Sequence, residues 1–180
     1  MRTLEELPVF PSGRQAQAPP EGWTLQVDGL VSRPCRLTLG ELRALGQEAQ
    51  ALDFTCLEGW QVQDLHWEGV PLRRLLEHVG PLPEARYVTL HSGRYVISVL
   101  LEEALRQDAL LAIRLNNAPL PPAHGAPLRF VLRNGECFAS VKWLERIELA
   151  ATDEHDTGRQ IALGRIQAKG REPAPTPGTD

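Results

Sequence analysis

Cys56 ends an apolar run in the stretch FTCLEGWQV, with Glu58, Gly59 and Trp60 directly behind it. A side chain at a strand end, ahead of a glycine turn, is well placed to face a cavity. Three roles suit such a thiol: a small buried hydrophobe, a nucleophile, or a thiolate ligand to a soft metal. The residue alone leaves all three open. A second constellation lies in HGAPLRFVLRNGECFASVKW. Arg129 and Lys142 are cations on otherwise apolar segments, and Gly125 admits close approach of the backbone. Ser140, Val141 and Lys142 offer consecutive amides together with a cation, which suits an anion such as phosphate. The competing reading has Arg129 and Lys142 pointing outward from strands into solvent. Trp60, Trp67 and Trp143 read as core or rim residues, and His91 and His124 as ordinary polar residues.

These residues need a scaffold, and local signals outline one. WTLQV reads as a strand, with Asp28 and Gly29 as a turn behind it. In TLGELRALG, Thr38 and Glu41 have capping-box spacing and Gly46 is a stop. GVPLRRLLEHVG is the clearest helix. Pro71 suits its first turn, Leu72, Leu75, Leu76 and Val79 fall on one face, and Gly80 ends it. RYVTLHSGRYVISV reads as a hairpin turning at Ser92 and Gly93. LEEALRQ gives a short helix. LLAIRL, PLRFVLR and KWLERIEL give further strands, with a turn at NNA. Strands dominate without a regular βαβ rhythm, so the expected class is α+β.

The 180 residues suffice for one domain with a real core, and 42% hydrophobic against 23% charged residues is a globular balance. A net charge of −4, a pI near 5.8 and the lack of a basic block argue against nucleic-acid binding. The three cysteines, Cys35, Cys56 and Cys137, form no CxxC, and the histidines form no HxxxH pair. That excludes a disulfide framework or a zinc site and points to a reducing, cytoplasmic compartment. No signal peptide or membrane span is expected. GxGxxG, Walker and GxSxG motifs are absent.

Taken in order, four segments resemble the molybdopterin-dependent oxidoreductases of the sulfite oxidase family. They are WTLQVDGLV, CLEGWQVQDLHWEGVPLRRLLEHVG, HGAPLRFVL and SVKWLERIEL. The second is similar to the family's C-x-E-G-W segment, the third to its N/H-G-A-P-x-R strand and the fourth to its S-V-K-W strand. The resemblance implies a sulfite-oxidase-type fold of mixed sheets and short helices over residues 23–150. An extended arm would occupy residues 1–22. An extension would occupy residues 151–180, Pro-rich and flexible from about 171.

By the same resemblance, Cys56 is the protein ligand to molybdenum, and the pterin dithiolene supplies two more sulfurs. Arg129 contacts the cofactor's phosphate or pterin, Ser140, Val141 and Lys142 wrap the phosphate, His124 touches the pterin, and Ser92 matches a small hydroxyl residue nearby. Phe10 and Arg14 stand in for the arm residues that close over the cofactor. Phe138 fills an aromatic position, and Ala139 replaces a lysine. The implied activity is oxygen-atom transfer on a small oxo substrate such as sulfite or a sulfoxide, with electrons leaving to a separate carrier protein. Neither a haem domain nor an immunoglobulin-like dimerisation domain is expected. Two other readings stay open here: a module that holds the cofactor without turnover, and a cysteine hydrolase pairing Cys56 with His124.

Overall fold

A computed structural model of the chain describes residues 21–55, 61–133, 137–153, 157–161 and 164. Ten strands and three α-helices are present among the described residues. In chain order they are β1 (Thr24–Gly29), β2 (Cys35–Thr38), α1 (Leu39–Ala44), β3 (Glu48–Thr55), β4 (Gln61–Pro71), α2 (Leu72–Val79) and β5 (Tyr87–Ser92). There follow β6 (Tyr95–Leu100), α3 (Leu101–Arg106), β7 (Leu110–Leu115), β8 (Ala118–Pro119), β9 (Arg129–Val131) and β10 (Arg146–Ala150).

The helices form where their local chemistry is complete. Thr38 Oγ1 accepts from the Glu41 amide at 3.2 Å, and a Glu41 carboxylate oxygen accepts from the Thr38 amide at 2.8 Å, closing the capping box of α1. Leu72, Leu75, Leu76 and Val79 of α2 are all buried, so the helical spacing of its apolar residues is its packing face. Gly80 ends α2 in the left-handed region, at φ +64°. Arg33 then covers the free carbonyls, donating to His78 O at 2.6 Å and Glu77 O at 2.9 Å.

One sheet has the order β2-β1-β10-β5-β6, with β1 and β10 parallel and the other pairs antiparallel. The second has the order β3-β4-β7-β8, with β9 also paired to β7. The main core joins the inner face of the first sheet (Leu25, Val88, Ile147) to α2 and to Leu111, Ile113 and Phe130 of the second. A smaller core, including Leu52, Trp67, Leu110, Ala112 and Val131, lies on the other face of the second sheet. Successive residues of β7 thus enter different cores. A strand buried on both faces has no polar face to show, which accounts for the apolar run LLAI at residues 110–113.

Several elements differ from their sequence outline. Ser92 pairs with Tyr95, so the hairpin turns at Gly93 and Arg94, one residue later than expected. Pro71 ends β4 and caps α2 instead of lying in its first turn. Only Arg129–Val131 of PLRFVLR is a strand, and β10 starts at Arg146, which leaves Lys142 and Trp143 outside any strand. The long hairpin of β3 and β4 carried no sequence assignment as strands. Its alternation is broken by a register shift between Leu52 and Phe54 and by Asp64 at φ +55°.

Candidate cofactor-anchoring site

The site forms where β9 meets the chain on either side of it. The 3-10 turn Pro122–His124 leads through Gly125 into β9, and residues 140–144 return alongside. Three backbone bonds stitch the two passes together: Phe130 N to Val141 O at 2.9 Å, Trp143 N to Gly125 O at 3.2 Å, and Leu144 N to Leu128 O at 3.0 Å. Gly125 makes this approach possible. It sits at φ +111°, and a Cβ there would lie 2.9 Å from Lys142 Cα. Both the conformation and the space exclude a side chain.

Arg129 is 4% exposed, so it is no solvated strand charge. Its guanidinium donates to His124 O at 3.3 Å and lies 5.2 Å from the centre of the Trp67 ring. Trp67, 1% exposed on β4, presents its electron-rich face to the cation. Lys142 is half-buried. Its Nζ donates to Ala123 O at 3.0 Å and lies 5.7 Å from the Trp143 ring centre. Trp143 is fixed in turn by a 2.8 Å bond from its indole N–H to Pro122 O. Ser140 and Val141 are buried beside them.

The electrostatics of the group are one-sided. Burial pushes His124 down to about 4, and the Lys142 and Arg129 charges add to the effect. Burial likewise lowers Lys142 to about 8, with Arg129 again contributing. Only cations act on these two groups among the described charges. His124 is therefore neutral at pH 7, with one ring nitrogen a donor and the other an acceptor. Its Nδ1 is buried without a hydrogen-bond partner among the described residues, a costly arrangement in a native protein. Two cations and an unsatisfied imidazole nitrogen, closed up by a glycine, are a donor set for an anion with further polar atoms. A phosphate-bearing pterin fits that description.

The structure thus brings together His124, Arg129, Ser140, Val141 and Lys142. Ser92 ends β5 in the other sheet, and its side chain makes no hydrogen bond to this group among the described residues. Cys56, Phe10 and Arg14 lie outside the described residues. The strands on either side of residues 56–60 end at Thr55 and resume at Gln61, and these two residues pair. Sequence reasoning missed Trp67 as the platform under Arg129, since nothing in their spacing announces a contact between β4 and β9. His91 proves to be part of a separate network, bonded to Glu148 at 3.0 Å and Arg146 at 3.2 Å on the outer face of the first sheet.

Comparison with known proteins is consistent with this geometry. Residues 12–157 match the family model described as the oxidoreductase molybdopterin binding domain. The chain is 36% identical over 137 residues to the protein named Uncharacterized oxidoreductase YuiH of Bacillus subtilis (strain 168), covering 76% of this chain and 68% of the relative. It is 32% identical over 162 residues to the protein-methionine-sulfoxide reductase catalytic subunit MsrP of Gluconobacter oxydans (strain 621H), covering 79% and 52%. The chain spans about half the length of that reductase subunit. The fold is shared with the sulfane dehydrogenase SoxCD of Paracoccus pantotrophus, at a TM-score of 0.68 and 23% identity, over 73% of this chain and 39% of that one.

Proposed function

The chain belongs to the oxidoreductase molybdopterin-binding family, and from that membership we propose that it transfers an oxygen atom to or from a small sulfur oxo compound, a sulfoxide or sulfite. The observation that carries the reading is the group of neutral His124, buried Arg129 and half-buried Lys142, on which only cations act among the described charges. When bound, the molybdenum–pterin group supplies two-electron oxygen-atom chemistry, which protein side chains do not provide.

In this reading Arg129 and Lys142 hold the phosphate end. Arg129 offers a planar fork kept in place by Trp67 beneath it, and Lys142 a point charge. The amides of residues 140–142 run beside them, and His124 turns a neutral nitrogen toward a polar atom of the pterin. Cys56 is assigned as the thiolate ligand on its motif alone, and Ser92 is kept as a peripheral contact on the same ground. A separate electron-transfer protein is the proposed redox partner, by analogy with the catalytic-subunit relative. The compartment is read as cytoplasmic from the scattered cysteines.

A hydrolase pairing Cys56 with His124 is disfavoured. An imidazole that binds its proton only below about pH 4 is a poor base for a thiol at neutral pH. The test is production in a host that makes the cofactor, followed by measurement of molybdenum, released pterin and turnover of a methyl sulfoxide with an artificial electron donor. The expected result is near-stoichiometric metal and pterin with turnover, and loss of turnover in Cys56→Ser with the circular dichroism spectrum retained. Protein free of molybdenum and pterin under those conditions overturns the proposal.

A further inference from the structure

The segment 140–142 has no strand or helix of its own to hold it. On one side it is bonded to β9 through Val141 O; on the other it continues from the 3-10 turn Cys137–Ala139, where Phe138 is gripped from two directions. Tyr95, on β6, donates its phenolic O–H to Phe138 O at 2.8 Å. Arg159, near the C-terminal end of the described chain, places its guanidinium 5.8 Å from the Phe138 ring centre, within reach of a cation–π contact.

Arg159 belongs to a helical turn over residues 157–161, which is itself docked on β6. Thr157 Oγ1 accepts from Val96 N at 3.1 Å and donates to Arg94 O at 3.0 Å. Gly158 is the buried residue of the turn, and a Cβ there would collide with Ile97 and come within 2.8 Å of Tyr95 Cζ. Residues 157, 159, 160 and 161 are exposed, so the turn adds little to either core. Its contacts fall on residues 94–97, among them Tyr95, which holds Phe138.

We propose that Tyr95 and the turn at 157–161 form a strut that sets the position of residues 140–142 through Phe138, and so acts as a positioning device for the anion end of the cofactor. The second half of this statement rests on the assignment of residues 140–142 to the cofactor, and the first half does not. The family match ends at residue 157, where the turn begins. Gly158 and Arg159 of the strut therefore lie beyond the matched region, and Tyr95 and Thr157 within it.

Lys142 reports on the strut directly. The sequence contains two lysines, Lys142 and Lys169, so acylation of Lys142 can be followed by mass spectrometry with Lys169 as internal reference. In full-length protein made without pterin synthesis, the pH midpoint for labelling Lys142 should lie near 8. In Tyr95→Phe and in Gly158→Val the segment loosens and hydrates, and the midpoint should move up toward the ordinary 10.5. Thr38→Ala, a destabilising change at a distant helix cap, should leave it near 8. In cofactor-loaded protein the same two variants should release pterin faster by about tenfold, the scale of one lost hydrogen bond at the site. An unchanged labelling midpoint in both variants overturns the strut. A raised midpoint with unchanged pterin release upholds the strut and overturns the placement of the cofactor on residues 140–142.

Discussion

Arg129 is a cation with 4% exposure, and its surroundings indicate how it is tolerated. A desolvated guanidinium over an indole face gains about 2 kcal/mol or more, and the His124 carbonyl takes one of its N–H groups. Truncating Arg129 to Ala should weaken cofactor retention roughly tenfold or more, since charge-assisted bonds to phosphate contribute about 1.5–3 kcal/mol. Trp67→Leu should have a similar effect on retention by letting the fork turn. In an Arg129→Ala background the Trp67 change should add nothing to release, although it still lowers stability. Additive effects on release would show that Trp67 acts only as core packing.

Lys142 gives the site a pH dependence whose sign can be worked out. Below about pH 8 it is charged, and above that value it is neutral until an anion restores the proton. Retention of the phosphate end should therefore hold below pH 8 and weaken as pH rises through it, by up to about tenfold per unit for one linked proton. The contribution of Lys142 to folding runs the other way. Unfolded, it titrates near 10.5, so between about 8 and 10.5 the unfolded chain holds the extra proton. In that window the cofactor-free protein gains stability from this group as pH rises. Pterin release and urea unfolding across pH 7–10 measure the two slopes.

At the scale of elements, the site depends on β7, which carries β9 and therefore Arg129. Ala112 of β7 pairs with Arg129, and Gly69 of β4 faces the same point. A Cβ on Gly69 would run into Leu111 O and come within 2.7 Å of Ala112 Cα, both backbone atoms with nowhere to move. Gly69→Ala should cost about 1–3 kcal/mol as overpacking. Thermal unfolding should show about 2–4 °C lost per kcal/mol in a chain of this size. Retention should fall in parallel, because the strand that presents Arg129 is displaced. An unchanged melting temperature would mean that β4 and β7 separate here without cost.

Elements whose signals are local were legible in the sequence. The capping box of Thr38 and Glu41, the four apolar positions of α2 and the doubly buried run of β7 each carry their cause within a few residues. β3 and β4 were not, because their pairing carries a register shift and a left-handed Asp64 that spoil the period of two. The site divides in the same way. Gly125 announced a close approach and delivers one against Lys142. Whether Arg129 and Lys142 faced solvent or interior was undecidable from alternation, since that depends on Trp67 and the Pro122–His124 turn arriving from elsewhere in the chain.

At the scale of the whole molecule, the first sheet is closed by its last strand. β10 lies in the middle, between β1 and β5, and Gln26 pairs with Arg146 across most of the chain. On the ribosome this is a problem of timing. The hairpin of β1 and β2 and the hairpin of β5 and β6 can both form early, but each then presents a bare edge to the slot that β10 will fill. Such edges are templates for the wrong partner, and contacts this distant in sequence form slowly. The nascent chain is thus most vulnerable shortly before residues 146–150 emerge. The proposed seat for the cofactor shares that schedule, because residues 140–142 are synthesised just ahead of the closing strand. Any factor that delivers the pterin would meet a finished receptor only after residues 146–150 have emerged.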